Sequence, residues 1–288
     1  MQEELHNKRR ISSISNLPTL PEVASKLLQI INDPKTSSSD VADLISQDVG
    51  ITSKVLRMAN SAFYGIPRTI TTVQNAVVLL GMKVINSLVL SVSVGDIFPA
   101  KQHGRGLKRL HFWKHSLSVA VCSRMLSQKG SHSHVLDSEE CFCAGLLHDI
   151  GKLVLDQYYD KEFVETLNKA QADNISCIEA EMEILGFTHS NVGDWLTSKW
   201  ELPRHLRIPL ISHHKPESAE NAKEATYVVH LADYLCHTLE YHCFPEEVFP
   251  PLQDDTMTVL GINDTALTAV TQNLSKEIEK LEAAFSFV

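Results

Sequence analysis

The chain has 288 residues, 26 Lys+Arg against 35 Asp+Glu and a formal charge of -9, so a basic face for nonspecific nucleic-acid binding finds no support in the total. Hydrophobic residues at 43% and charged residues at 21% exclude a disordered or fibrous chain and leave room for one large domain or two closely packed ones. The six cysteines form no CxxC pair and the N-terminal MQEELHNKRRISSIS has no apolar stretch behind its basic residues, so reduced thiols, no export and a cytoplasmic setting are expected.

Apolar residues recur at helical spacing almost throughout, and strands are hard to find. Val23, Leu27, Ile30 and Ile31 mark a first helix after Pro21, closed by Asp33-Pro34. Candidate caps at Ser37 to Asp40 precede a second helix with Val41, Leu44, Ile45 and Val49, expected to stop near Gly50. A third helix, with Ile51, Val55, Leu56 and Met58, runs until Gly65 and Pro67 break the pattern. The stretch Ala76 to Val94 is long and apolar enough to pose as a membrane span. Lys83 and Asn86 near its middle make it a buried core helix instead, since a central charge costs about 2.5–3.5 kcal/mol on insertion.

His103-Gly-Arg-Gly106 reads as a linker, dividing an N-terminal arm (1–15) and helical lobe (16–103) from a core (104–243). Core helices are expected over 110–129, 138–158, 160–172, 176–186, 189–199, 203–213 and 223–240. Residues 244–288 supply a Pro-rich loop and a terminal amphipathic helix with Leu267, Val270, Leu274, Ile278 and Leu281 on one face.

The chemistry lies in the histidines, 14 in all. His148-Asp149 interrupts an apolar run, and burying both unpaired would cost several kcal/mol, which a shared metal would offset. His115, His189, His213, His214 and Asp233 also fall at helix ends or within apolar helices. Any single histidine is more often a packed, hydrogen-bonded core residue than a ligand; seven groups together argue for a metal. A mixed imidazole and carboxylate set suits a divalent transition metal, Fe or Mn before Zn or Ni. Seven groups suffice for two ions bridged by an Asp, and a pair about 3.5–4 Å apart suits hydrolysis of phosphate esters. Lys152, one turn after His148, is placed to hold a phosphate. The histidines at 6, 103, 132, 134, 205, 237 and 242 read as surface or core filler, and His111 and His230 as intermediate. Trp113, Trp195 and Trp200 read as core.

The order His115, His148-Asp149, His189, His213-His214, Asp233, with HDIGK at 148–152, resembles the HD superfamily of metal-dependent phosphohydrolases. LPTLPEVASKLLQIINDP, followed by DVADLISQDVGITSKVLRMANSAFYGIPRTITTVQNAVVLLGMKVI, is similar to the HDOD family, the HD-related output domain of bacterial signalling proteins. The resemblance spans about residues 16–240. It implies an all-α fold, an N-terminal helical lobe packed on an HD core, and a part in signal transduction.

Members of that family commonly lack some ligands, whereas every HD-type position that can be matched is filled here, as in the HD-GYP cyclic-di-GMP phosphodiesterases. The GYP element is missing, and His111 stands where that pattern often has a Glu. The resemblance implies one site of His115, His148, Asp149 and Asp233, and a second of Asp149, His189, His213 and His214. Two functions follow. One is a regulatory module whose N-terminal lobe binds a partner protein, with input from an upstream signalling protein or a small ligand. The other is a phosphohydrolase or phosphodiesterase acting on a nucleotide or cyclic dinucleotide, with metal-activated water attacking phosphorus and with Asp149 and Lys152 as catalytic residues.

Overall fold

Side-chain caps and apolar stripes, element by element, produce an all-helical chain. The computed structural model describes residues 17–98, 107–244 and 248–284, and no strand occurs among them. The expected N-terminal arm and the linker at 103–106 lie outside these residues. The chain divides into two compact units, Thr19–Pro99 with Thr271–Val288 and Met1–Pro18 with Ala100–Val270.

In the first unit, α1 (Glu22–Ile30), α2 (Ser38–Ser46), α3 (Val49–Ala59), α4 (Val73–Leu80) and α5 (Met82–Ile97) bury mainly aliphatic side chains such as Leu27, Ile45, Val55 and Leu88. Three of the helices start on side-chain caps. Ser37 and Asp40 form a reciprocal capping box, Asp48 accepts from Ile51 N at 3.0 Å, and Thr72 accepts from Asn75 N at 3.2 Å. Asn60 latches the loop after α3: its Oδ1 accepts from Ile70 N at 2.7 Å, and its Nδ2 donates to Ile70 O and Leu56 O, both at 2.8 Å.

Two expectations need correction here. Gly50 does not stop α2; the Asp48 cap makes it part of the first turn of α3. The apolar run from Ala76 to Val94 is two helices, because Gly81 adopts φ 89°, a left-handed conformation that turns the chain between α4 and α5. No helix among the described residues is long and apolar enough to cross a membrane.

The second unit holds α6 (Arg109–Ser127), α7 (Ser138–Leu147), α8 (Ile150–Tyr158), α9 (Asp160–Asp173), α10 (Cys177–Ile184), α11 (His189–Lys199), α12 (Arg204–Ser212), α13 (Lys223–Thr238) and the short α14 (Thr256–Leu260). α15 (Asp264–Glu282) begins in this unit and ends in the other. α7 and α13 pack on α6, α8 on α11, and α12 on both α11 and α13. The helix expected over 138–158 is broken at His148-Asp149, which separate α7 from α8. Trp113 and Trp200 are buried as expected, whereas Trp195 is only half-buried, with the Lys199 ammonium 4.5 Å from its ring centroid. All six cysteines are buried thiols, and none is in a disulfide.

Two glycines set how closely these helices approach. A Cβ on Gly145 of α7 would come within 2.9 Å of Val119 O on α6. One on Gly151 of α8 would fall 1.9 Å from His189 O at the start of α11. The helix-breaking dipeptide His148-Asp149 lies between these two points of backbone contact, so His148 is drawn toward α6 and Asp149 toward His189.

Candidate metal centre

Every residue expected at the site comes from the second unit, and the structure brings all seven together. His115 stands on α6, His148 and Asp149 at the α7–α8 break, His189 at the start of α11, His213 and His214 just after α12, and Asp233 on α13. Local sequence fixes several of these positions. Thr188 and Asn191 form a capping box that starts α11 at His189. Asp149 is the N-cap residue of α8, yet its carboxylate makes no cap hydrogen bond and faces the cluster.

The imidazoles share one pattern. His115 Nδ1 donates to Tyr241 O at 2.7 Å, His148 Nδ1 to Gly145 O at 2.7 Å, and His213 Nδ1 to Leu210 O at 2.8 Å. His189 Nδ1 donates to the buried Glu181 carboxylate at 2.8 Å, and Glu181 also accepts from His189 N at 2.7 Å. A carbonyl or carboxylate can only accept, so each of these rings carries a proton on Nδ1 and turns Nε2 inward, free to bind a metal once it holds no proton.

These Nε2 atoms meet each other and the carboxylates. His115 Nε2 lies 3.2 Å from His148 Nε2, and His214 Nε2 lies 3.0 Å from His189 Nε2. Asp149 Oδ1 is 3.2 Å from His189 Nε2 and 3.9 Å from His213 Nε2, while Asp233 Oδ1 is 3.3 Å from His115 Nε2 and 3.6 Å from His148 Nε2. Asp149 Oδ1, Asp233 Oδ1 and His213 Nε2 are buried with no hydrogen-bond partner among the described residues. Nitrogens and carboxylate oxygens that face one another in a dry interior suit a cation or a proton between them. The donor set fits a divalent metal: Asp149, His189, His213 and His214 form one group of mutually close ligand atoms, His115, His148 and Asp149 a second, and His148, His213 and Asp233 a third.

Electrostatics tell the same story. Burial opposes ionisation of Asp149 and Asp233. For Asp149 the charges of Lys152, His148 and His189 outweigh it, and for Asp233 the charge of His237 together with contacts to the His115 and His148 imidazoles, so both carboxyls stay well below the usual carboxylate range. Burial pushes His213 down to about 3 and His214 well below its ordinary value. Burial also works against a charged His148, but Asp149 and Asp233 overcome it and raise this ring to about 10. Without metal, His148 therefore holds a proton between the two carboxylates, 3.4 Å from Asp149 Oδ2 and 3.6 Å from Asp233 Oδ1.

Lys152, expected to hold a phosphate, is buried with its ammonium 2.8 Å from Asp149 Oδ2. Cys243 Sγ lies 3.6 Å from the same oxygen. His111 is half-buried and belongs to none of the ligand groups, whereas His230 is structural: its Nδ1 donates to His213 O at 2.7 Å and its Nε2 accepts from Gln253 N at 3.1 Å. His205 makes a surface pair with Glu140 at 3.4 Å, and His6 and His103 lie outside the described residues.

Two residues at the site escaped the sequence reading. His237, taken as filler, is buried one turn beyond Asp233 and groups with His115 and Asp233. Glu181 went unremarked, although its spacing from Cys177 and Ala180 puts a carboxylate on the apolar face of α10.

Comparison with known proteins agrees with this architecture. The structure superposes on a crystal structure of an HDOD domain protein from Geobacter sulfurreducens with a TM-score of 0.83, at 24% identity over 99% of both chains. It superposes on a protein of Shewanella amazonensis SB2B, provisionally named a phosphohydrolase, with a TM-score of 0.75, at 25% identity over 97% of this chain and 98% of the other. An uncharacterized protein of Treponema pallidum (strain Nichols) is 26% identical over 239 residues, 81% of this chain. The chain spans 45% of the length of that curated relative. The model of the HDOD domain matches residues 17–216, more than half of the sequence, and the chain belongs to the HDOD domain family.

Proposed function

We propose that this is a bacterial signal-transduction protein built on a buried divalent metal centre, with Asp149 shared between two ion positions. One position would draw on His115, His148, Asp149 and Asp233, the other on Asp149, His189, His213 and His214, with Fe or Mn preferred over Zn or Ni. The observation that supports it most is the set of four imidazoles that each carry a proton on Nδ1 and turn Nε2 toward two carboxylates. Bound ions in such a set supply charge neutralisation and Lewis acidity.

Burial favours a regulatory role. Six of the seven ligands are buried and Lys152 is committed to Asp149, an arrangement suited to holding the α6, α7, α11 and α13 helices in one state. In this reading the N-terminal unit receives a partner protein or upstream signalling protein, and the large apolar side chains it exposes include Val49 and Val78. The buried thiols fit a reducing, cytoplasmic compartment.

A second reading, a phosphohydrolase or phosphodiesterase acting on a nucleotide or cyclic dinucleotide, is supported by the filled ligand set and by His214, the one ligand that is partly exposed. The provisional name of the Shewanella neighbour points the same way. Here Asp149 would hold the ions while Lys152 offsets its charge.

Elemental analysis of protein purified without added metal, run beside Asp149→Ala, tests the centre. About two equivalents of metal, one per position of a paired site, are expected in the parent, with none or few in the variant. A metal-free parent, or a variant with unchanged occupancy, overturns the proposal. Phosphodiester turnover by the loaded parent decides for the second reading, and bound metal without turnover for the first.

A further inference from the structure

We infer that His237 is an additional ligand of the centre, extending it along α13 to a position made by Asp233, His115 and His237 and braced by His242. This rests on the metal-centre reading above.

The geometry repeats the pattern of the other imidazoles. His237 Nδ1 faces His242 Nδ1 at 3.3 Å, so one ring donates to the other. With His237 as donor, its Nε2 lone pair points at the cluster, where it lies 3.4 Å from Asp233 Oδ1. That carboxylate oxygen is buried and meets no hydrogen bond of regular geometry among the described residues, so it is open to a cation shared with His237. The ligand atoms of His115, Asp233 and His237 fall within 4.8 Å of one another, the same closeness shown by the other ligand groups.

Packing holds the ring in this pose. His237 stacks on Phe249 with centroids 4.9 Å apart and planes 14° apart, and its centroid is 5.0 Å from that of His115. The Asp233-x-x-x-His237 spacing places both groups on one face of α13, so the helix presents a carboxylate and an imidazole to the same point. His111, one turn before His115, takes no part in these groups, which makes α13 the direction in which the centre is extended.

The test is a Co2+ titration of the chelator-stripped full chain, followed by equilibrium dialysis and by the visible absorption of the bound ion. His237→Ala is expected to weaken or remove at least one Co2+ by more than tenfold and to change the absorption band, with other binding retained. His242→Ala, which removes only the brace, is expected to weaken the same ion by about tenfold. Melting in chelator shows whether each variant folds; if His237→Ala does not, His242→Ala alone decides. Isotherms and spectra of the folded variants matching the parent would overturn the assignment of His237 while leaving the centre intact. Absence of Co2+ binding in the parent would overturn the centre and this inference with it.

Discussion

The two units solve the burial problem in opposite ways. Among the described residues of Thr19–Pro99 the fully buried polar residues are Ser87, Ser91 and Ser93, and the core is otherwise mainly aliphatic, with three helix starts satisfied by local caps. Between residues 107 and 244 the interior holds His115, His148, Asp149, Lys152, Glu181, His189, His213, Asp233 and His237. The first unit draws its stability from removing apolar surface from water. In the proposed reading the second places part of its stability in an inorganic ligand, which its convergent imidazoles and carboxylates would share.

The sharpest way to break this contrast is to damage each unit and ask what the metal does. Leu27→Ala, in a fully buried aliphatic position of α1, is expected to cost about 2–5 kcal/mol of stability by chemical denaturation, with metal content per folded chain unchanged. Loss of metal from the folded Leu27→Ala protein would show that the units do not divide the labour in this way.

Glu181→Gln is the converse. It keeps volume but weakens the hold on His189 Nδ1, and metal affinity in competition with a chelator is expected to fall by about 10–100-fold, with a much smaller change in metal-free stability. An unchanged affinity would mean that packing alone orients His189.

The smallest effect is a matter of pH. His148 is held near 10, above its ordinary value of 6.5, so at neutral pH metal must displace its proton. Metal affinity should therefore rise with pH, by up to about tenfold per unit, with about one proton released per chain in calorimetry in buffers of different ionisation enthalpy. For the metal-free protein the sign reverses. The stabilisation from protonated His148 is complete below 6.5 and is lost as pH rises toward 10, so metal-free and metal-loaded stabilities should diverge across that window. A flat affinity would remove His148 from the ligand set.

The helices were legible because most buried one apolar stripe. The errors fell where a local signal had two meanings. Gly50 looks like a helix terminator, but Asp48 ahead of it is an N-cap, and the cap decides. Gly81 sits inside an unbroken apolar run, and hydrophobicity carries no record of its positive φ. The run from Cys141 to Leu155 conceals the helix break at His148-Asp149 for the same reason. At the site, the seven expected ligands stood out because a charged or imidazole group in an apolar helix is costly. His237 was hidden because it follows the pattern of many helix-surface histidines, and its place four residues after Asp233 was the available clue. Glu181 lies in a helix with two other glutamates, and only its register with Cys177 and Ala180 separates it from Glu179 and Glu183.

The identity of the Nδ1 acceptors has an evolutionary consequence. For His115, His148 and His213 the acceptor is a main-chain carbonyl, at Tyr241, Gly145 and Leu210. Every amino acid brings that oxygen, so sequence drift at these three positions cannot delete it without rerouting the chain. His189 relies on a side chain, and one codon change at Glu181 removes its acceptor. Three of the four tautomers are inherited with the fold, and the fourth must be maintained by selection.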